Sequence, residues 1–279
     1  MEVDGDEYFG KRKDAGSEKI LYCVRHAQSE SNAKRRSVST YFSTEFWGNK
    51  CDVNIKDPEL SDKGQKQIEK LQTKLDHVDF VSTYNVDVCF TSPFSRAIDT
   101  ALGMFKYSSS VQIVVLPDLR PHFKSAQSTG TLRKSALELK YKSQENISFQ
   151  YVKHELWWNP KNVSKYKEQN VYGRCSDEEE YYDDDEDEFD DEKAWQEAMD
   201  DDDESKLKYE TSKEFKERLG RLKKFLAGRS EHTIVLVGHC GYFRTLLNMW
   251  SYVGNCSMIE AHFDPNTEAI THTASVSFQ

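Results

Sequence analysis

The residues best suited to chemistry are two histidines and two arginines in three short segments. His26 lies in Arg25-His26-Ala27-Gln28-Ser29-Glu30-Ser31-Asn32, and His239 lies in Gly238-His239-Cys240-Gly241. Arg96 lies in Thr91-Ser92-Pro93-Phe94-Ser95-Arg96. A neutral imidazole held in one tautomer is a nucleophile near neutral pH. Guanidinium groups grip oxyanions through two parallel hydrogen bonds, which lysine does less well. Phosphoryl transfer asks for this combination: an in-line nucleophile and positive groups on the three equatorial oxygens. His26 suits the nucleophile. Arg25 beside it stabilises the transferred group and disfavours the imidazolium form. Arg96 suits the phosphate clamp, His239 a hydrogen bond to an equatorial oxygen, and Asn32 an uncharged donor. His26, Arg25, Arg96 and His239 are therefore the candidate catalytic residues, and Asn32 the candidate substrate-binding residue. The set calls for no metal and no cofactor. Two arginines and a histidine supply the positive field, and no His/Cys/Asp/Glu spacing in the chain matches a structural zinc site.

Secondary-structure patterning shows how distant segments can meet. Ile20–Val24 and Thr233–Val237 are short apolar, β-branched runs bounded by turn residues, which read as buried strands. His26 and His239 each follow such a run. Ligands of α/β sheets bind at the carboxyl ends of strands, so the two imidazoles are expected to face one pocket. Further strands are expected near 86–91, 112–116, 257–263 and 268–274. Helices are expected from Ser61, a plausible N-cap, with Ile68, Leu71 and Leu75 on one face, and over 95–105, 132–141, 212–227 and 242–250. Strands alternating with helices argue for an α/β fold with a three-layer arrangement: a mixed, mostly parallel central sheet with helices on both faces. An irregular inserted subdomain follows the third strand. The expected division is a disordered leader over 1–18 and one domain over 19–279.

The chain has 279 residues and a net charge of −10. Its acidity is concentrated in 177–204, where Lys193 is the sole base, so the remaining chain is net basic. A basic body suits an anionic ligand. The acidic run cannot bury enough apolar area to offset ordering entropy and reads as a mobile insert, with a short helical turn over 194–199. It is also a surface for a basic protein partner. Six scattered cysteines without a C-x-x-C pair argue against a disulfide framework. The polar N-terminal residues and the lack of a long apolar stretch point to a cytoplasmic protein that neither enters a membrane nor is secreted. Nothing points to nucleic acid. Lys34-Arg35-Arg36 reads as a solvated basic face and Trp157-Trp158 as packing.

Arg25-His26-x5-Asn32, Thr91-Ser92-Pro93-x2-Arg96-Ala97-x2-Thr100 and Val237-Gly238-His239-Cys240-Gly241 together resemble the motifs of the histidine phosphatase superfamily, the phosphoglycerate mutase-like proteins. Leu60-Ser61-x2-Gly64-Gln65 is similar to the first-helix signature of that family. The resemblance covers about 19–110 and 205–270. It implies a phosphomonoester hydrolase that acts through a phosphohistidine on a small phosphorylated metabolite. The family also places a catalytic acid after the third strand, in a Leu-x-Glu context. Here Leu119-Arg120-Pro121 puts proline at that position. Asp118, His122, Glu138 and Glu155 are the candidate replacements, and the sequence does not choose among them. The departure supports an alternative: a catalytically impaired, phosphate-binding pseudophosphatase with a scaffolding role. A phosphoglycerate mutase is the third reading, disfavoured because a Phe-Thr-Gly-Trp segment is missing after Asn32. Substrate selectivity is expected to lie in 33–56 and 117–175.

Overall fold

The computed structural model describes residues 18–34, 55–124, 128–155, 157–158 and 209–277. The leader, the basic run beyond Lys34, most of 33–56 and the acidic segment 177–204 lie outside the described residues. Seven strands form one sheet: β1 (Lys19–Arg25), β2 (Val88–Thr91), β3 (Gln112–Val115), β4 (Ile147–Ser148), β5 (Thr233–Gly238), β6 (Met258–Asp264) and β7 (Ala269–Val276). Their spatial order is β4-β3-β2-β5-β1-β6-β7. The five from β4 to β1 run parallel, while β6 and β7 are antiparallel to their neighbours. After β1 the chain skips a position, builds outward through β2, β3 and β4, and returns to fill the gap with β5. The strands that lead into the two histidine segments, β1 and β5, are therefore adjacent, with Arg25 level with Gly238.

The apolar runs are continuous because both sheet faces are covered. Successive side chains on a strand point to opposite faces. Leu21, Cys23, Ile234 and Leu236 face one core, with Phe215, Leu219 and Leu222 of α5 (Ser212–Ala227) and Phe243 of α6 (Cys240–Leu246). Tyr22, Val24, Val235 and Val237 face the other, with Leu71 and Leu75 of α1 (Asp62–His77) and Ala97, Ala101 and Met104 of α3 (Ser95–Met104). A third cluster outside β3 gathers Phe94, Leu137, Phe149, Trp157 and Trp158. Both tryptophans are buried there as packing, as their sequence suggested.

Local signals account for the helix starts near the site. Ser61 caps α1 by accepting from the Gly64 amide at 3.2 Å, and Thr211 with Glu214 forms a capping box on α5. The short helices α2 (Phe80–Thr83) and α4 (Lys134–Lys140) complete the set numbered here. Two expectations need correction. The helix expected over 242–250 spans Cys240–Leu246 instead. Asn248 turns the backbone left-handed at φ 51°, which ends the helical path, and Trp250 stands 91% exposed rather than continuing an apolar face. Strand β4 was not foreseen, since two residues carry no periodicity. Among the described residues no helix is long and apolar enough to cross a membrane.

One close approach ties α1 to the segment after His26. The Gln28 carbonyl accepts from the Ser61 amide at 3.0 Å, and the Glu30 amide donates to the Glu59 carbonyl at 2.9 Å. Gly64 packs so tightly that a Cβ there would lie 2.2 Å from the Gln28 carbonyl oxygen. Gly64→Ala is expected to destabilise the protein by about 1–3 kcal/mol, as overpacking does. Denaturant unfolding checks this, and an unchanged midpoint would contradict the packing.

Candidate active site

The parallel pairing of β1 with β5 fixes the two histidines as neighbours. The His26 amide donates to the Gly238 carbonyl at 2.9 Å, and the two imidazole centroids lie 5.1 Å apart at 62°. His26, His239, Arg25 and Arg96 are all buried. The structure thus brings together all four candidate catalytic residues and Asn32.

The tautomer of His26 follows from its partner. Nδ1 lies 2.7 Å from the Ala27 carbonyl oxygen. A carbonyl only accepts, so Nδ1 carries the proton and Nε2 keeps its lone pair. The backbone is pinned around this ring. Asn255 Nδ2 donates to the His26 carbonyl at 2.9 Å, and the Ala27 amide donates to Thr100 Oγ1 at 3.0 Å. Thr100 Oγ1 in turn donates to the Arg96 carbonyl at 2.6 Å, linking the His26 loop to α3. Burial, then Arg96, then Arg25 hold the His26 imidazole well below its usual basicity, against the pull of the Ala27 carbonyl. His26 is therefore neutral with a free Nε2, the state that can attack phosphorus.

His239 is held by Ser92, with Nε2 2.9 Å from the hydroxyl oxygen, and by the Phe94 ring, 5.6 Å between centroids. Burial, Arg96 and the neighbouring His26 also lower its basicity well below the usual value. Asn32 Oδ1 accepts from Arg25 Nη2 at 3.4 Å and from Asn255 Nδ2 at 3.3 Å. These two donors turn the amide so that its NH2 is the end left to meet a ligand. Arg25 Nη1 donates to the Val253 carbonyl at 2.7 Å and to the Tyr252 hydroxyl, and its guanidinium lies over the Tyr252 ring.

Arg96 is oriented by a residue that sequence reasoning passed over. Asp57 Oδ1 lies 3.3 Å from Arg96 Nη1. The same carboxylate accepts from the Ser95 amide at 3.2 Å and the Ser95 hydroxyl at 3.2 Å. Helix α3 has no side-chain cap of its own, so Asp57 caps it from across the chain. Burial pushes the Asp57 carboxyl up to about 6, opposed by Arg96 and the Ser95 hydrogen bonds. Burial likewise brings Arg96 down to about 10, with Asp57 pulling the other way. Ser92 stood inside a quoted motif but had no assigned role. Asn255 lies in an irregular loop whose sequence gives no signal.

The four candidate proton donors are all engaged elsewhere. Asp118 pairs with Arg221 at 3.1 Å, and Glu138 with Lys134 at 3.7 Å on the surface. Glu155 accepts from the Ser135 hydroxyl at 2.9 Å. His122 Nε2 donates to the Glu210 carbonyl at 2.9 Å, and its ring stacks on Phe215. Pro121 itself only accepts, from Arg218 Nη2 at 3.1 Å.

The model of the histidine phosphatase superfamily (branch 1) matches residues 21–127. That span carries Arg25, His26, Asn32 and Arg96. No curated protein matches the sequence. Among solved structures, a candidate alpha-ribazole-5'-P phosphatase from Escherichia coli K-12 is 15% identical, covering 93% of this chain and 97% of its own, at a TM-score of 0.49. A phosphoserine phosphatase from Entamoeba histolytica, in complex with 3-phosphoglyceric acid, is 15% identical over 93% of this chain and 98% of its own, at 0.42. A phosphoglycerate mutase from Bacillus anthracis is 15% identical over 93% of each chain, at 0.41.

Two outcomes follow from the buried charges. The folded state depresses both histidines below 6.5, so unfolding takes up protons there. Their stabilising contribution is present above that value and is lost as pH falls. Asp57 acts oppositely: raised to about 6 from 3.8, it binds its proton earlier in the fold and returns some stability over that interval. Replacing both histidines with asparagine is expected to flatten the fall in melting temperature between about pH 7 and about pH 5. An unchanged slope would contradict the burial of neutral rings. Asp57→Ala is expected to cost about 3–5 kcal/mol in chemical unfolding, because it leaves Arg96 buried without its carboxylate.

Proposed function

We propose that this protein is a phosphomonoester hydrolase acting through a phosphohistidine at His26 on a small phosphorylated metabolite. The observation that carries the reading is the 2.7 Å contact between His26 Nδ1 and the Ala27 carbonyl, which aims a free Nε2 into a positive pocket. In the first step Nε2 bonds to phosphorus and the ester P–O bond breaks. Arg25, Arg96 and His239 stabilise the charge on the equatorial oxygens, and Asn32 adds a neutral donor. In the second step water displaces His26 and releases inorganic phosphate. The reading needs no metal, since the guanidinium groups carry the positive charge. It takes the protein as cytoplasmic, in keeping with free thiols at Cys23, Cys89, Cys240 and Cys256.

With proline in place of the expected acid and the four nearby candidates committed to other partners, water protonates the departing oxygen. That favours esters whose alcohol leaves easily. It also supports a second reading, a pocket that binds phosphate without turnover and serves as a scaffold, with the acidic segment 177–204 meeting a basic partner.

p-Nitrophenyl phosphate is expected to be hydrolysed without added metal, with turnover abolished in His26→Ala and reduced roughly 10²–10³-fold in Arg96→Lys. Alkyl phosphates are expected to lag by about 10²–10⁴, the usual worth of a general acid. Phosphate binding with no turnover of any ester would establish the scaffold instead.

A further inference from the structure

Arg120 is buried beside the site, and the mechanism does not use it. It follows the 3₁₀ turn Pro117–Leu119 at the carboxyl end of β3. This is the same sheet edge from which Ser92, His239 and His26 emerge. The Leu119 carbonyl lies 3.6 Å from where a Cβ on Gly238 would stand, directly before His239. Arg120 Nη1 donates to the Trp157 carbonyl at 3.3 Å. The Trp157 ring packs edge-on to Phe94 at 5.0 Å, and Phe94 packs on His239 and under Arg96.

Its remaining donors, Nε and Nη2, are buried and hydrogen-bonded to nothing among the described residues. These two N–H groups lie on one edge of the guanidinium and form the two-pronged fork that fits a carboxylate or phosphate. Three other arginines here use that same edge on a carboxylate. Arg218 grips Glu210 at 2.8 and 2.7 Å. Arg221 grips Asp118 at 3.3 and 3.1 Å, and Arg229 grips Glu231. Among the described residues, no oxygen sits within the fork of Arg120. Glu210 approaches Nη2 only to 3.9 Å, and both its oxygens already serve Arg218. The local charges do not balance: Arg120, Arg218 and Arg221 face Glu210 and Asp118. Burial, and then Arg218, bring Arg120 down to about 10, so it remains a cation at neutral pH. A buried donor without an acceptor is costly, and here two such donors form a matched pair.

We propose that Arg120 holds an oxyanion, a carboxylate or phosphate group, through the Nε–Nη2 edge of its guanidinium beside the phosphate cradle. As a subsite for the substrate it rests on the reading of His26 as phosphate acceptor. The substrate class is then a phosphomonoester with a second acidic group. The same chemistry also admits a free anion bound next to the cradle.

Calorimetry on full-length protein carrying His26→Ala measures binding without turnover. The probes are phosphorylated hydroxy acids of two to five carbons, each paired with the ester in which methyl replaces the carboxylate. A substrate subsite predicts that at least one phosphorylated acid binds roughly tenfold or more tightly than its methyl partner, a charge-assisted pair being worth that much. Arg120→Gln is expected to erase the difference. A free-anion site predicts no such preference but a second equivalent of inorganic phosphate, lost in Arg120→Gln. Should Arg120→Gln not fold, Arg120→Lys gives the same readings, because it keeps the charge and lacks the fork. Preference and phosphate stoichiometry both unchanged on substitution would overturn the proposal. Failure of the wild-type protein to hydrolyse p-nitrophenyl phosphate would sink the phosphatase reading alone, since the binding measurements do not depend on turnover.

Discussion

A neutral imidazole surrounded by positive charge is the condition on which the rest of the site depends. His26 sits out of water with two guanidinium groups acting on it, so its proton-bound form is doubly disfavoured. The single proton it keeps is fixed on Nδ1 by a carbonyl one residue away. Much of the surrounding architecture serves to hold that carbonyl still. The Ala27 amide is tied to α3 through Thr100, the His26 amide to β5, and the His26 carbonyl to Asn255. Among the described residues, the buried carboxylate paired within the cradle is Asp57, and it offsets Arg96. A bound phosphate dianion would complete the neutralisation, which is a physical reason for the pocket to prefer that charge.

Much of this arrangement could be read from residue order. His26 and His239 stood out because each follows an apolar run, and sheet strands covered on both faces must be apolar throughout. Arg96 stood out because it opens a helix after Thr91-Ser92-Pro93. The adjacency of β1 and β5 was only an expectation, since parallel strands pair across long connections and no local signal encodes the partner. Asp57 was hidden for a related reason. A cap supplied from another segment leaves α3 with a Phe94 N-cap that looks empty in sequence. Asn255 donates to the His26 carbonyl and to Asn32 from a loop that carries no sequence pattern to mark it. The early end of α6 depended on the left-handed Asn248, which propensity alone does not place.

The stretch around Pro121 shows how a departure from a family pattern is absorbed. Proline offers no amide hydrogen, and none is required, because Arg218 satisfies the carbonyls there. Its guanidinium donates to the carbonyls of Asp118, Arg120 and Pro121 at 2.8, 2.7 and 3.1 Å. Glu210 braces the opposite edge of the same arginine. The turn after β3 is thus stapled to α5, and the side chains around it are held by their own ion pairs rather than aimed at His26.

The placement of β5 between β1 and β2 has a kinetic consequence. The strand that brings His239 is made long after the one that brings His26, and it must wedge between two strands already synthesised. Loop closure over so long a separation is entropically expensive and slows assembly in chains rich in non-local pairings. Until that central slot is occupied, the His26 amide has no Gly238 carbonyl to bind and its ring has no His239 beside it. In a nascent or partly folded chain the two imidazoles therefore stay apart, and they meet only in the step that closes the middle of the sheet.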